Sequence, residues 1–201
     1  MRTWALILIL FSSNAYSFNI PENAIAYKRM LVREVRAEHG LNGPVALHAA
    51  LIHQESRWNP LAKSPVGASG LAQFMPATAD WMGEIDRRLV GSKTIDPRWS
   101  IRAMSVYTKW LNNRFNGYNE CQKWAFSLSG YNGGIGWVWK DQKLTEAAGE
   151  DKKKWFDNVE KYSERSTSAF NENRHYVNII LNNFQEKYYN NGFKSGGLIC
   201  Q

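Results

Sequence analysis

The stretch from residue 45 to residue 57 constrains the fold of this chain more than any other part of the sequence. The preceding turn, Asn42-Gly43-Pro44, places a proline at the first position of a helix, where its missing N–H removes no hydrogen bond. Asn59-Pro60 ends the pattern. In between, apolar residues recur at the spacing of one helix face: Val45, Leu47, Ala49, Leu51 and Ile52. A buried helix of about three turns is therefore predicted.

The same periodicity recurs along the chain, and strand signals are sparse. It predicts helices over residues 24–38, 97–111, 121–128 and 176–188, and helical turns over residues 71–75 and 76–82. The charged stretch 140–173 is predicted to be an exposed helical excursion or a mobile flap. A mainly α protein is therefore expected.

Composition indicates one ordinary globular domain. Hydrophobic residues make up 44% of the chain and charged residues 21%, which excludes a disordered or collagen-like polymer. No Pro/Gly/Ser-rich linker divides the sequence. The formal net charge of +7 favours anionic partners, which include nucleic acid, a membrane surface and a cell-wall polymer.

The first 17 residues resemble a secretory signal peptide. Arg2 precedes the apolar run 4–11, and the segment ends in Ala15-Tyr16-Ser17, a small-x-small cleavage site. A buried N-terminal helix is the other interpretation, whereas a membrane span would need a longer run. Cleavage after Ser17 would leave a domain of residues 18–201 in the periplasm or outside the cell. No stable membrane span and no nucleic-acid partner are then expected.

Two cysteines, Cys121 and Cys200, remain in the expected mature chain. An even pair in an exported protein is more often a disulfide than a metal site or a reactive thiol. We therefore expect one bridge between them, the alternative being two unpaired cysteines.

Glu55 stands out because it follows Leu51 by four positions and Ile52 by three, on or near the apolar face of the predicted helix. A carboxylate in that position is either a structural acid satisfied by a neighbouring donor, or a general acid whose apolar surroundings raise its pKa. The helix alone favours the structural interpretation. The Gly/Ser/Pro loop that follows, with Gln73 between apolar residues, favours a site.

Four blocks of the sequence, in order, carry a resemblance to one known family. The first is residues 52–56, ending in Glu55-Ser56, with Asn59-Pro60 after it, and the second is residues 64–79, which contain Gly70-Leu71-Ala72-Gln73-Phe74-Met75-Pro76. The third runs from Ala125 to Tyr131-Asn132-Gly133-Gly134, and the fourth is Glu172-Asn173-Arg174-His175-Tyr176-Val177. Together these blocks resemble the catalytic domain of soluble lytic transglycosylases, relatives of goose-type lysozymes. The resemblance implies a lysozyme-like, single-domain helical fold with a substrate groove.

By this resemblance Glu55 is the catalytic acid, and Ser56 either orients Glu55 or contacts a sugar. Gln73 is implied to be an amide of the substrate groove, and Tyr131 and Asn132 are implied to close the catalytic centre and bind substrate. The implied substrate is peptidoglycan, cleaved at the β-1,4 bond from N-acetylmuramic acid to N-acetylglucosamine. The implied product carries a 1,6-anhydro ring. Local opening of the wall for a secretion or conjugation apparatus is the expected role.

Two alternatives stay open, a muramidase that hydrolyses the same bond and a peptidoglycan-binding protein without turnover. Hydrolysis would need a second carboxylate. Candidates by order along the chain are Asp80, Glu84, Asp86 and Asp96, each interpreted as solvated or structural.

No cofactor and no metal are expected. The four histidines, His39, His48, His53 and His175, form neither a His-Glu-x-x-His helix nor a cluster with the cysteines. Trp137 and Trp139 follow the third block and are candidates for stacking on sugar rings, with core packing at least as strongly favoured.

Overall fold

The structure is a computed structural model that describes residues 18–200; the predicted signal peptide, residues 1–17, lies outside the described residues. The described part is mostly helical and contains no β-strand, which confirms the mainly α prediction. No helix within it is long and apolar enough to cross a membrane. In chain order the helices are α1 (Glu22–His39), α2 (Val45–Ser56), α3 (Pro76–Ile85), α4 (Pro97–Asn112), α5 (Glu120–Gly133), α6 (Ile135–Ala147), α7 (Thr167–Ile179) and α8 (Gln185–Asn190).

Helix α2 lies at the centre of the core. Every residue from Val45 to Ile52 is buried, so the helix is enclosed on all sides rather than along a single face. The one polar member, His48, is satisfied: its Nδ1 lies 2.9 Å from the Pro44 carbonyl oxygen, and its Nε2 lies 2.9 Å from Thr108 Oγ1. Glu55 therefore sits at the end of a rigid, enclosed helix.

Helix α4 begins at a capped turn and packs against α1 and α5. The Asp96 side chain accepts a hydrogen bond from the Trp99 backbone N–H at 2.8 Å, and Pro97 occupies the first turn. Arg102 on α4 pairs with the buried carboxylate of Glu34 on α1, with Nε and Oε2 2.9 Å apart. Asp96 thus has a structural role, as predicted.

The segment between α2 and α3 is a tight loop. Residues 71–75, predicted to be a helical turn, instead close a small antiparallel contact in which Ser69 and Phe74 exchange two backbone hydrogen bonds of 3.1 Å. Gly70 has φ of +84° and Gln73 has φ of +49°. These left-handed residues reverse the chain and prevent a helix from forming.

The prediction of an exposed helical excursion or a flap over residues 140–173 is correct only in part, because many of these residues are exposed and both ends are helical, but the middle of the segment packs against α5. Asp141 on α6, Trp155 and Val159 are buried in this segment. Trp155 packs edge-on against Phe126 of α5, with ring centroids 5.6 Å apart, and its backbone N–H donates to Gln122 Oε1 at 2.6 Å. Trp155 anchors the segment, and most of its charged residues are exposed, whereas Asp141 and Arg165 are buried. Charge density alone therefore does not predict the exposure of this segment.

The last helical stretch contains a π-helical segment. The sequence predicts one helix over residues 176–188, and the chain is helical throughout this range but changes its hydrogen-bonding pattern within it. A π-helical segment, Ile180–Phe184, separates α7 from α8. Such segments shift the register of the residues that follow them along the helix surface.

The structure joins Cys121, at the start of α5, to Cys200. The same C-terminal tail is held by Gln185 of α8, whose Nε2 donates to the Ile199 carbonyl at 2.7 Å and whose Oε1 accepts from the Ile199 N–H at 3.1 Å. The tail is therefore attached to two helices.

Replacing both cysteines by serine is expected to lower the free energy of unfolding by about 4 kcal/mol, because the 79-residue separation makes the closed loop long. Urea unfolding with and without reductant measures the effect. Reductant should shift the midpoint of the wild-type protein and leave that of the Cys121→Ser/Cys200→Ser variant in place. Identical wild-type midpoints in both conditions would contradict the prediction.

Candidate active site

A cleft of about 420 Å³ opens at the end of α2. Its walls come from the end of α2, the loop before α3, and helices α3, α4, α5 and α7. The cleft is lined by residues that lie between positions 55 and 172 of the sequence: Glu55, Ser64, Val66, Ala68, Gln73, Phe74, Met75, Thr78, Tyr107, Tyr131, Asn132, Gly134 and Glu172.

Glu55 occupies the last turn of α2 and has an unusual environment. Burial, with a smaller contribution from the nearby Glu172 carboxylate, raises the pKa of its carboxyl to about 7. The Tyr176 hydroxyl donates a hydrogen bond to Glu55 Oε1 and acts in the opposite direction. Since an ordinary glutamate ionises near pH 4.5, the carboxyl of Glu55 keeps its proton to unusually high pH.

Two tyrosines form an aromatic wall beside the acid. The rings of Tyr107 and Tyr131 lie 5.2 Å apart, and the Tyr131 hydroxyl donates to the Ala72 carbonyl at 2.9 Å. Burial raises the pKa of Tyr107 to about 12 and that of Tyr131 well above its usual value. Both hydroxyls therefore stay neutral at physiological pH, and the wall adds no charge to the cleft.

Gln73 lines the cleft and also holds its loop together. Its Nε2 donates to the carbonyls of Gly70 at 2.9 Å and Ala62 at 3.2 Å. These two hydrogen bonds hold the loop that faces Glu55 in place. The backbone of Gln73 itself has the left-handed conformation.

Ser56, for which both a sugar contact and a role in orienting Glu55 are predicted, lies outside the lining of the cleft. Its hydroxyl donates to the Leu71 carbonyl at 2.8 Å. The adjacent position on the helix turns this side chain away from that of Glu55. Ser56 instead ties the end of α2 to the loop that carries Gln73.

Asn132 contacts the carboxylate of Glu172, a residue for which no role in the site is predicted from the sequence. Asn132 Nδ2 lies 3.4 Å from Glu172 Oε1, and Asn132 Oδ1 accepts a hydrogen bond of 2.7 Å from Asn173 Nδ2. Glu172 and Tyr176 are four residues apart on α7 and both face the acid or its cleft. Their spacing in the sequence could have indicated that both residues belong to the site, because residues i and i+4 share a helix face.

The four acids considered earlier as second carboxylates are all absent from the lining of the cleft. Asp80 accepts a hydrogen bond from Ser92, Asp86 pairs with Arg88, and Asp96 caps α4. Glu84 is exposed on α3. The carboxylate that shares the cleft with Glu55 is Glu172.

Neither Trp137 nor Trp139 lines this cleft. Trp139 is exposed, and Trp137 is half-buried beside a neighbouring cavity. Within residues 18–200 no three His, Cys, Asp or Glu side chains are grouped so as to hold a metal ion.

A family model and several known proteins are similar to this chain. A family model described as "Transglycosylase SLT domain" matches residues 35–156. Membrane-bound lytic murein transglycosylase F of Pasteurella multocida is 38% identical over 112 residues, which are 55% of this chain and 21% of that protein. The protein of that name from Vibrio cholerae is also 38% identical over 112 residues, covering 55% of this chain and 20% of its own. The chain thus spans about a fifth of the length of these relatives.

Solved structures extend the likeness beyond the family match. The 70 kDa soluble lytic transglycosylase SLT70 of Escherichia coli superposes with a TM-score of 0.62 at 29% identity, covering 88% of this chain and 26% of that one. An inactive mutant of the lytic transglycosylase Slt of Pseudomonas aeruginosa gives a TM-score of 0.64 at 24% identity, covering 87% and 25% of the two chains. The second likeness concerns the fold alone.

Proposed function

Since the chain belongs to the transglycosylase SLT domain family, we propose that it is a peptidoglycan lytic transglycosylase with Glu55 as its catalytic acid. The proposal depends chiefly on one observation: the buried carboxyl of Glu55 lines a cleft and accepts a hydrogen bond from Tyr176, and its burial raises its pKa to about 7. Such a group holds a proton at neutral pH and is still acidic enough to give it up.

The reaction would begin with transfer of the Glu55 proton to the glycosidic oxygen. The bond from the muramyl anomeric carbon to that oxygen breaks, and the N-acetylglucosamine leaves as an alcohol. The muramyl 6-hydroxyl then attacks the anomeric carbon, closing the 1,6-anhydro ring, and the ionised Glu55 takes up the hydroxyl proton. No water is consumed, and one carboxyl serves first as acid and then as base.

The neighbours of Glu55 fit both halves of this cycle. The Tyr176 hydroxyl holds one carboxyl oxygen and stabilises the ionised form after the first proton transfer. The buried surroundings favour the neutral form before it. Gln73, Tyr131 and Asn132 line the cleft where the sugars would lie.

A muramidase is the second candidate, and the presence of Glu172 in the same cleft as Glu55 favours it. A carboxylate in the same cleft as the acid is what water activation or nucleophilic attack would need. Glu172 lies on α7, and its charge raises the pKa of Glu55.

Mass spectrometry of the products released from purified peptidoglycan separates these functions. Anhydro-muramyl products, one water lighter than hydrolysed ones, are expected. Products with a reducing-end muramyl sugar would replace the proposal with the muramidase. Binding without any product would leave a peptidoglycan-binding protein.

The turnover rate is expected to fall as the pH rises above about 7, because Glu55 then loses the proton that it must donate. The direction follows from a folded-state pKa above the ordinary value of 4.5, so that the active form persists through the mildly acidic range. Initial rates on soluble glycan strands between pH 5 and 9 measure the profile. A rate that keeps rising to pH 9 would exclude protonated Glu55 as the acid.

Tyr176→Phe is expected to move this alkaline limb to higher pH, by about one unit, because the variant loses a hydrogen bond to the ionised carboxyl. The same pH profile measures it. Tyr27→Phe, on α1 outside the cleft, is a matched control and should leave the limb in place. A Tyr176→Phe profile that moves to lower pH would contradict the assigned role of the hydroxyl.

The location of the protein is part of the proposal. Residues 1–17 would act as a cleaved signal peptide, which would place the enzyme in the periplasm or outside the cell. Local opening of the wall for a secretion or conjugation apparatus is the proposed role. The mass of the protein recovered from the periplasm tests the cleavage, which should leave Phe18 as the first residue.

A further inference from the structure

The side-chain amide of Asn173, on α7, uses every one of its hydrogen-bonding groups inside the protein. The residue is 1% exposed. Its Oδ1 accepts from Ser129 Oγ at 2.7 Å and from Arg174 Nη1 at 2.9 Å. Its Nδ2 donates to the Ser129 carbonyl at 3.0 Å and to Asn132 Oδ1 at 2.7 Å. Because an amide has two donor hydrogens and one oxygen with two lone pairs, no group of Asn173 is left for a substrate.

Arg174 determines which way round this amide lies. A guanidinium group only donates hydrogen bonds, so the atom of Asn173 that lies 2.9 Å from Arg174 Nη1 has to be the oxygen. Arg174 is itself held in place: its Nε donates to the Glu160 carbonyl at 2.9 Å, and its Nη2 donates to Asp141 Oδ2 at 3.1 Å. The nitrogen of the Asn173 amide is therefore fixed on the side of Asn132.

The orientation of Asn173 in turn fixes that of Asn132, which lines the cleft together with Glu55. Because Asn173 Nδ2 donates, the atom of Asn132 that faces it has to be the acceptor, Oδ1. Asn132 Nδ2 is then on the side of Glu172, with 3.4 Å between Nδ2 and Oε1. A hydrogen bond of this length is weak, so the Nδ2 hydrogens remain available to a stronger acceptor in the cleft.

We propose that Asn173 is a positioning residue, which makes Asn132 present its amide N–H groups, and not its oxygen, to an acceptor oxygen of the bound glycan. The inference rests on the proposed function, because a glycan strand in the cleft supplies that oxygen. Asn173 acts only through Asn132 and does not touch the substrate. The buried contacts of Arg174 with Asp141 thus determine which polar atom the cleft wall exposes.

Asn173→Asp tests this role, because it keeps the shape of the side chain and removes both of its donor hydrogens. An ionised aspartate still accepts from Arg174, but it cannot donate to Asn132 Oδ1. The Asn132 amide should therefore turn round and donate to the aspartate, which leaves its oxygen facing the cleft. The kcat/KM on soluble glycan strands is expected to fall about tenfold, because one hydrogen bond to the substrate is lost.

Asn173→Ala provides a comparison with a reversed order of expected effects. Alanine removes all the hydrogen bonds of the amide, so a purely structural role would make alanine the more damaging substitution. A positioning role makes aspartate the more damaging one, because alanine leaves Asn132 free to adopt either orientation. With alanine, kcat/KM should fall only about threefold, since part of the population keeps the competent orientation.

Asn173→Asp should fold, because the surrounding charge favours an added carboxylate. Arg165 and Arg174 share the single carboxylate of Asp141, and Arg165 Nε and Nη2 have no hydrogen-bond partner among residues 18–200. The hydrogen bond from Arg174 becomes charge-assisted in the variant, which offsets the loss of the bond to the Ser129 carbonyl. Urea unfolding of each variant checks this expectation.

A double-mutant cycle shows whether Asn173 acts through Asn132. In an Asn132→Ala background the amide to be oriented is absent, so Asn173→Asp should change kcat/KM by less than a factor of about two. Asn178→Asp is the matched control, since Asn178 is exposed on the same helix and does not line the cleft. It should leave kcat/KM at the wild-type value.

The positioning role would be overturned by an unchanged kcat/KM in Asn173→Asp, by a larger loss with alanine than with aspartate, or by equal losses with and without Asn132. Failure of the proposed function looks different, because the wild-type protein would then release no product from intact peptidoglycan. In that case the same variants are compared by calorimetric titration with soluble glycan strands, where the same order of losses in affinity would support the positioning role.

Discussion

Replacing Glu55 by glutamine is expected to lower the turnover of peptidoglycan about a thousandfold. Glutamine has nearly the same shape but carries no proton that it can transfer to a glycosidic oxygen. Its side-chain oxygen can still accept the hydrogen bond from Tyr176, so the cleft should keep its form. Binding of glycan strands should therefore be preserved while the chemical step is lost.

The same substitution makes a prediction about stability. A folded-state pKa of about 7, above the ordinary 4.5, means that ionisation of Glu55 destabilises the folded protein. The wild-type protein should lose stability as the pH rises through this interval, and Glu55→Gln should not show this contribution. Urea unfolding at pH 4.5 and pH 8 measures the difference.

Glu84→Gln is the matched control, since Glu84 is exposed on α3 and does not line the cleft. Its turnover should equal that of the wild-type protein. Full activity in a folded Glu55→Gln variant, together with an inactive Glu172→Gln variant, would transfer the acid role to Glu172.

Replacing Asp141 by alanine is expected to lower the free energy of unfolding by about 3 to 5 kcal/mol. Asp141 is fully buried, and it is the carboxylate partner of both Arg165 and Arg174. Burial lowers the pKa of Arg174, and the charge of Asp141 counteracts this effect. Without the carboxylate, two guanidinium groups would remain close together in a region from which water is excluded.

Urea unfolding of Asp141→Ala beside Glu150→Ala measures this effect, because Glu150 is an exposed acid in the same part of the chain. The Glu150 variant should stay within about 0.5 kcal/mol of the wild-type protein. Adding Arg165→Met and Arg174→Met to the Asp141 variant should recover much of the loss by removing the uncompensated charges. A stable Asp141→Ala variant would contradict a buried, charge-dependent cluster.

Local patterns predicted most of the secondary structure. Proline and capping residues marked the starts of α2 and α4, where they satisfy or remove the free N–H groups of a first turn. Glu55 could be singled out because an acid at helical spacing from Leu51 and Ile52 conflicts with its apolar neighbours. These signals act over one or two helical turns, which is the range that a sequence displays directly.

Long-range contacts account for the errors. Tyr176 contacts Glu55 although the two residues are 121 positions apart in the sequence. The periodicity of apolar residues around either one does not predict this contact. Residues 140–173 were predicted to be exposed because lysines and acids dominate them, whereas Trp155 fixes the segment against α5. Trp155 and the paired side chains of Asp141 and Arg165 are buried, while most of the other charged side chains of the segment remain in water.

The sequence by itself determined a helical domain, the helix that ends in Glu55, and the resemblance that suggested a role for that acid. Only the tertiary structure decided that Glu172 shares its cleft, that Ser56 faces the loop, and that Arg165 lies buried with two free donors. The physical reason is that helix formation depends on neighbours in the chain. A shifted pKa and an unsatisfied charge depend instead on which distant segments exclude water from a side chain.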